Sequence, residues 1–82
     1  MRRKVNITIE YCEPCGFLPE AVKLATEVLR DYPDSIGQLT LLPSGGGRFE
    51  VTVNDDLIFS RAKTGRFPEL REIGEEISRR LT

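Results

Sequence analysis

Residues 5–17 read Val5-Asn6-Ile7-Thr8-Ile9-Glu10-Tyr11-Cys12-Glu13-Pro14-Cys15-Gly16-Phe17, and they decide the fold. Val5, Ile7 and Ile9 alternate with Asn6, Thr8 and Glu10, the period of a strand with one apolar face. The stretch from Tyr11 to Gly16 breaks that pattern. Beyond it, Leu18, Ala21, Val22, Ala25, Val28, Leu29 and Tyr32 recur at three- and four-residue steps, which marks an amphipathic helix. Pro19 is tolerated only in a first turn, so the helix begins near Gly16 or Phe17, and Pro33-Asp34 ends it. Two cysteines therefore sit on a strand-to-helix turn.

Outward from this unit the pattern continues. Leu39 and Leu41 mark a second strand over residues 37–42, followed by the loop Pro43-Ser44-Gly45-Gly46-Gly47. Phe49, Val51 and Val53 alternate with Glu50, Thr52 and Asn54 in a third strand. Asn54-Asp55-Asp56 turns directly into Leu57-Ile58-Phe59-Ser60-Arg61, which makes a hairpin. Residues 63–67 form a loop, and Pro68 suits the first position of a last helix whose stripe is Leu70, Ile73, Gly74, Ile77 and Leu81. Glu75–Arg79 and Glu76–Arg80 have the spacing of favourable pairs on its polar side. The order is β-α-β-β-β-α. The first crossover is right-handed and its strands parallel. One-sided apolar strands place both helices on one face of a four-stranded mixed sheet. The cysteine turn, the 43–48 loop and the 62–67 loop then meet at one rim.

The chain has 82 residues, enough for a single domain over 1–82. A net charge of −1, with both signs spread along the chain, argues against a nucleic-acid partner. Arg2, Arg3 and Lys4 read as a solubilising fringe. No segment is apolar enough to span a bilayer, and the polar–apolar alternation of residues 5–11 is not that of a signal peptide. The expectation is a cytoplasmic protein, monomeric or a weak homodimer. Two cysteines are too few for a secreted disulfide scaffold.

In a reducing compartment a close cysteine pair reads as redox-active or metal-binding. Closed zinc sites need four Cys or His ligands, and this chain has two cysteines and no histidine, so no metal or other cofactor is expected. The missing histidine also excludes a Cys–His nucleophile. A dimer sharing two pairs could still close such a zinc site, and an inert pair is the bland alternative, but an exposed strand-to-helix turn favours thiol–disulfide exchange. One cysteine of Cys12-Glu13-Pro14-Cys15 attacks a partner disulfide and the other resolves the mixed disulfide. A helix N-terminus favours the thiolate, whereas Glu13 opposes it. Around the pair, Tyr11 and Phe17 form a candidate apolar collar. Pro14 lies within the turn and Arg48 on the facing loop. Lys63 and Arg66 are candidate holders of a partner's carboxylates. Gly45-Gly46-Gly47 lacks the Lys-Ser/Thr ending and following helix of a phosphate loop.

Tyr11-Cys12-Glu13-Pro14-Cys15-Gly16-Phe17 resembles the redox motif of selenoprotein W and its relatives, the Rdx family. Phe49-Glu50-Val51-Thr52-Val53 with Leu57-Ile58-Phe59-Ser60-Arg61 carries a second match. Gly65-Arg66-Phe67-Pro68-Glu69 is similar to the cysteine-containing prokaryotic members. The resemblance implies a thioredoxin-like two-layer sandwich. It also implies a redox role with glutathione or protein thiols as partners. Thioredoxin logic makes Cys12 the attacker; selenocysteine-containing relatives carry selenium at the position of Cys15, which points the other way. A redox-sensitive adaptor module with little turnover is the alternative reading.

Overall fold

The computed structural model describes residues 3–81. Four strands, β1 (Val5–Cys12), β2 (Ile36–Ser44), β3 (Phe49–Val53) and β4 (Asp56–Ser60), form one sheet in the order β2-β1-β3-β4. β1 and β2 are parallel, with Ile7 beside Leu39 and Ile9 beside Leu41. β3 runs antiparallel to β1, placing Phe49 beside Tyr11, and β4 pairs antiparallel with β3. Three helices accompany the sheet: α1 (Leu18–Asp31), α2 (Arg61–Thr64) and α3 (Leu70–Leu81). α1 packs on β1, β2 and α3, and α3 also packs on β1.

The strand alternation becomes a one-sided core. Val5, Ile7, Ile9, Phe49, Val51 and Val53 are buried, together with Ile73 and Ile77 of α3. Each such side chain contributes about 1.5–3 kcal/mol of transfer free energy. The intervening Asn6, Thr8, Glu10, Glu50 and Thr52 keep contact with water. This is the expected two-layer α/β sandwich of thioredoxin-like type.

Three details depart from the sequence expectation. The buried stripe of α1 is Ala21, Leu24, Ala25 and Val28, while Leu18, Val22 and Leu29 are exposed. Those three lie roughly 60–100° around the helix from Ala21 at about 100° per residue. The small Ala21 and Ala25 form the contact line, and Leu24 completes it. β2 is longer than 37–42, because pairing with β1 continues to Cys12 opposite Ser44. The last strand stops at Ser60 instead of Arg61, and a helical turn, α2, follows it directly and closes on Gly65, whose φ is 73° and whose N–H donates to the Arg61 carbonyl at 2.7 Å.

α1 and α3 approach closely at one point. A methyl group on Gly74 would overlap the Tyr32 hydroxyl, so this glycine leaves room for the Tyr32 ring, just past the end of α1, to lie against α3. The hairpin turns on Asn54, whose φ is 50°; its N–H donates to the Asn6 carbonyl at 2.7 Å, and its Oδ1 accepts from the Asn6 N–H at 3.0 Å.

Candidate functional site

β1 and β2 end, and β3 begins, at one rim of the sheet. The Cys12 N–H donates to the Arg48 carbonyl at 2.8 Å, and the Glu13 N–H donates to the Ser44 carbonyl at 2.9 Å. The last residue of β2 and the end of the loop after it thus grip the cysteine turn through the backbone. The turn closes on itself through the Gly16 N–H to the Glu13 carbonyl at 3.0 Å and the Phe17 N–H to the Cys12 carbonyl at 3.3 Å. Gly16 has φ 80°, a conformation that side chains with a Cβ rarely adopt.

Cys12 and Cys15 are joined as a disulfide, with Cα atoms 5.3 Å apart. Their surroundings differ sharply. Cys12 is 0% exposed, whereas Cys15 and its neighbours Glu13, Pro14 and Gly16 are exposed. The strand draws Cys12 into the packed layer; the turn lifts Cys15 out of it. Cys15 does not sit in the first helical turn, since Phe17 caps α1 and Leu18 begins it. The helix dipole acts mainly within its own first turn, so its pull on Cys15 is weaker than the sequence suggested.

An aromatic cluster adjoins the turn. The Phe17 and Phe67 rings meet edge to face at 5.0 Å between centroids, and Phe67 meets Phe49 likewise at 5.1 Å. The 62–67 segment therefore reaches the cysteine rim through Phe67. Tyr11, buried in the core and paired with Phe49 across the strands, offers little surface for a partner. Phe17 is partly buried in the cluster. A groove of about 300 Å³ opens beside it, walled by Glu20, Lys23 and Glu27 on one side and Pro68 and Glu69 on the other.

The basic residues of this end fare differently. Arg66 makes a two-pronged contact with Glu72, both N–O distances 2.8 Å, and donates to the Phe67 carbonyl at 3.2 Å. Glu72 also accepts the Glu69 N–H at 2.9 Å, half of a capping box for α3. The Arg66 hydrogen bonds, with the Glu69 N–H, hold the Glu72 carboxyl down at about 2. Arg48 Nη1 donates to the Gly45 carbonyl at 3.1 Å. Lys63 is exposed on α2.

Arg61 was not singled out in the sequence. Its guanidinium carbon lies 5.1 Å from the centroids of both Phe17 and Phe67, and its Nε is buried without a hydrogen-bond partner. The available signal was alternation: two residues beyond buried Phe59, Arg61 falls on the face that the helices cover. Among the described residues, no cluster of His, Cys, Asp or Glu side chains is arranged to hold a metal ion.

The fold that carries this turn has counterparts among known proteins. The Rdx family matches residues 6–79. This chain belongs to the Rdx family. A crystal structure of a selenoprotein W-related protein from Vibrio cholerae superposes with a TM-score of 0.91 at 30% identity, covering 96% of this chain and 99% of that one. A crystal structure of a Bordetella parapertussis protein gives 0.88 at 29% identity, covering 95% and 99%. Migration and invasion enhancer 1 of Bos taurus is 40% identical over 75 residues, and its Mus musculus counterpart 39%. Those 75 residues are 92% of this chain but 64% of either relative, so the Rdx domain spans under two thirds of the curated proteins it matches. Membership of the family and the bonded Cys12–Cys15 pair fit a redox role.

Proposed function

We propose that this Rdx domain is a small thiol–disulfide oxidoreductase that exchanges electrons with glutathione or protein thiols, and that Cys15 is the sulfur at which exchange begins. The observation that carries the reading is the asymmetry of the pair: Cys12 is 0% exposed and Cys15 is exposed. An incoming thiolate must approach the sulfur it attacks along the disulfide axis, and access selects which sulfur that is. Attack at Cys15 forms a bond to its Sγ and breaks the Cys12–Cys15 bond, with Cys12 leaving as thiolate. A second thiolate then takes the first off Cys15. Two thiols become one disulfide, and the protein disulfide becomes two cysteines, whose protons come from solvent.

Single-cysteine variants test this. Cys12→Ala, incubated with oxidised glutathione, is expected to accumulate a mixed disulfide on Cys15, read by intact mass. Cys15→Ala is expected to react at least tenfold more slowly. Equal rates for the two variants would remove Cys15 as the entry point. A Cys12–Cys15 pair that stays reduced across a graded glutathione series would remove the exchange reading altogether.

A further inference from the structure

The unpaired arginine of the rim has a use in that chemistry. Arg61 follows β4, and β4 lies two strands from β1, so its backbone is roughly 10 Å from the Cys12 strand at ordinary strand spacing. Its side chain bridges part of that gap, with the guanidinium carbon 5.1 Å from the ring of Phe17, two residues beyond Cys15. The positions of the other cations differ. Arg66 is neutralised by Glu72, Arg48 donates to the Gly45 carbonyl, and Lys63 projects from exposed α2. Arg61 alone of these four is laid on the aromatic cluster beside the cysteine turn, and among the described residues no carboxylate pairs with it. Aromatic faces hold a guanidinium in place without consuming its N–H donors. A preorganised cation without a carboxylate of its own, laid on the ring two residues beyond Cys15, is suited to hold a carboxylate brought to the turn.

We infer that Arg61 binds a carboxylate of the thiol or disulfide substrate and makes the redox site selective for anionic substrates, of which glutathione is the small-molecule case. The inference rests on the exchange chemistry proposed above. Glu13, exposed in the turn, opposes an anion on its own side, so the favourable approach is over Phe17. In the oxidising direction the Cys15 thiolate attacks one sulfur of oxidised glutathione, and one glutathione leaves as thiolate. The Cys12 thiolate then displaces the second from Cys15. The protein loses two electrons and the glutathione disulfide gains them.

The test compares second-order rates for oxidation of the reduced protein by oxidised glutathione and by neutral 2-hydroxyethyl disulfide. Taking the ratio of the two rates cancels any general change in cysteine reactivity. Arg61→Met keeps length and aromatic contact but loses the charge; it is expected to lower the ratio about tenfold, the scale of one charge-assisted contact. Arg61→Lys keeps the charge but not the planar stack, and is expected to give a ratio between those of Arg61→Met and wild type. Raising the salt concentration lowers the wild-type ratio and leaves that of Arg61→Met flat. A wild-type protein that neither disulfide oxidises overturns the exchange chemistry and this inference with it. A reactive wild type whose ratio is indifferent to Arg61→Met overturns the role of Arg61 alone.

Discussion

Gly16 shows how one residue shapes the site. It closes the cysteine turn at φ 80°, and a Cβ built on it would meet nothing within 4 Å. The demand is therefore conformational, not steric. Gly45, in the neighbouring loop, also faces open space but has no positive φ. The two positions thus separate backbone strain from crowding. Gly16→Ala is expected to cost about 1–2 kcal/mol, the penalty of a left-handed residue with a Cβ. Gly45→Ala is expected to be neutral or to stabilise by up to about 1 kcal/mol, because it restricts only the unfolded chain. Urea unfolding midpoints of the two variants provide the measurement, and equal midpoints would contradict the distinction. The exposure of Cys15 against the burial of Cys12 lies at this scale too. Sequence located both cysteines but not the difference between them, because alternation along β1 does not say how far the packed layer extends past Tyr11.

Among the elements, α3 begins with a clamp whose electrostatics are explicit. Arg66 and the Glu69 N–H both depend on a charged Glu72, held at about 2 against an ordinary value near 4.5. A lowered carboxyl contributes stability that is complete above the unfolded value and fades as pH falls from about 4.5 toward 2. The pair is partly in water, so screening keeps the contribution under about 1 kcal/mol. Wild-type protein is expected to lose thermal stability between pH 5 and pH 2.5 more than Glu72→Gln does. Parallel loss in both, followed by circular dichroism melts, would remove the clamp from the acid response. The sequence put Pro68 at the first position of the last helix, but α3 begins at Leu70, and it gave Arg66 a partner's carboxylate to hold. It did not show that Glu72 occupies Arg66, since that contact depends on the path of the 65–69 backbone. β1 and β3 were legible because a period of two leaves no choice of face, whereas β2, buried only at Ile36, was bounded too short. α1 was legible as an element but not in its rotation: seven apolar residues cover a wider arc than a helix buries, and the small Ala21 and Ala25 settle which part meets the sheet.

At the scale of the molecule, the redox pair and the core are separable. The core is Ile7, Ile9, Val28, Phe49, Val51, Val53, Ile73 and Ile77, joined across the sheet and both long helices. The disulfide joins residues three apart in sequence. A loop that short removes little entropy from the unfolded chain, about 2 kcal/mol at 25 °C by the loop-closure relation. Truncating one core isoleucine, as in Ile77→Ala, costs about 2–5 kcal/mol through lost burial and the cavity left behind. A structural staple shows the opposite ranking. Reduction of the wild-type protein by dithiothreitol is therefore expected to leave a cooperative unfolding transition, with a midpoint lowered less than Ile77→Ala lowers it in the oxidised protein. Collapse of the transition on reduction would make the pair a staple and deny it the freedom to cycle. This independence follows from where the cysteines stand. They lie at the end of β1 and on the turn beyond it, held by backbone hydrogen bonds that the Cys12 and Glu13 N–H groups donate to the Arg48 and Ser44 carbonyls and that involve neither sulfur. The sheet is therefore expected to keep the same rim on reduction, which leaves the turn and the groups around it to set the free energy of the pair.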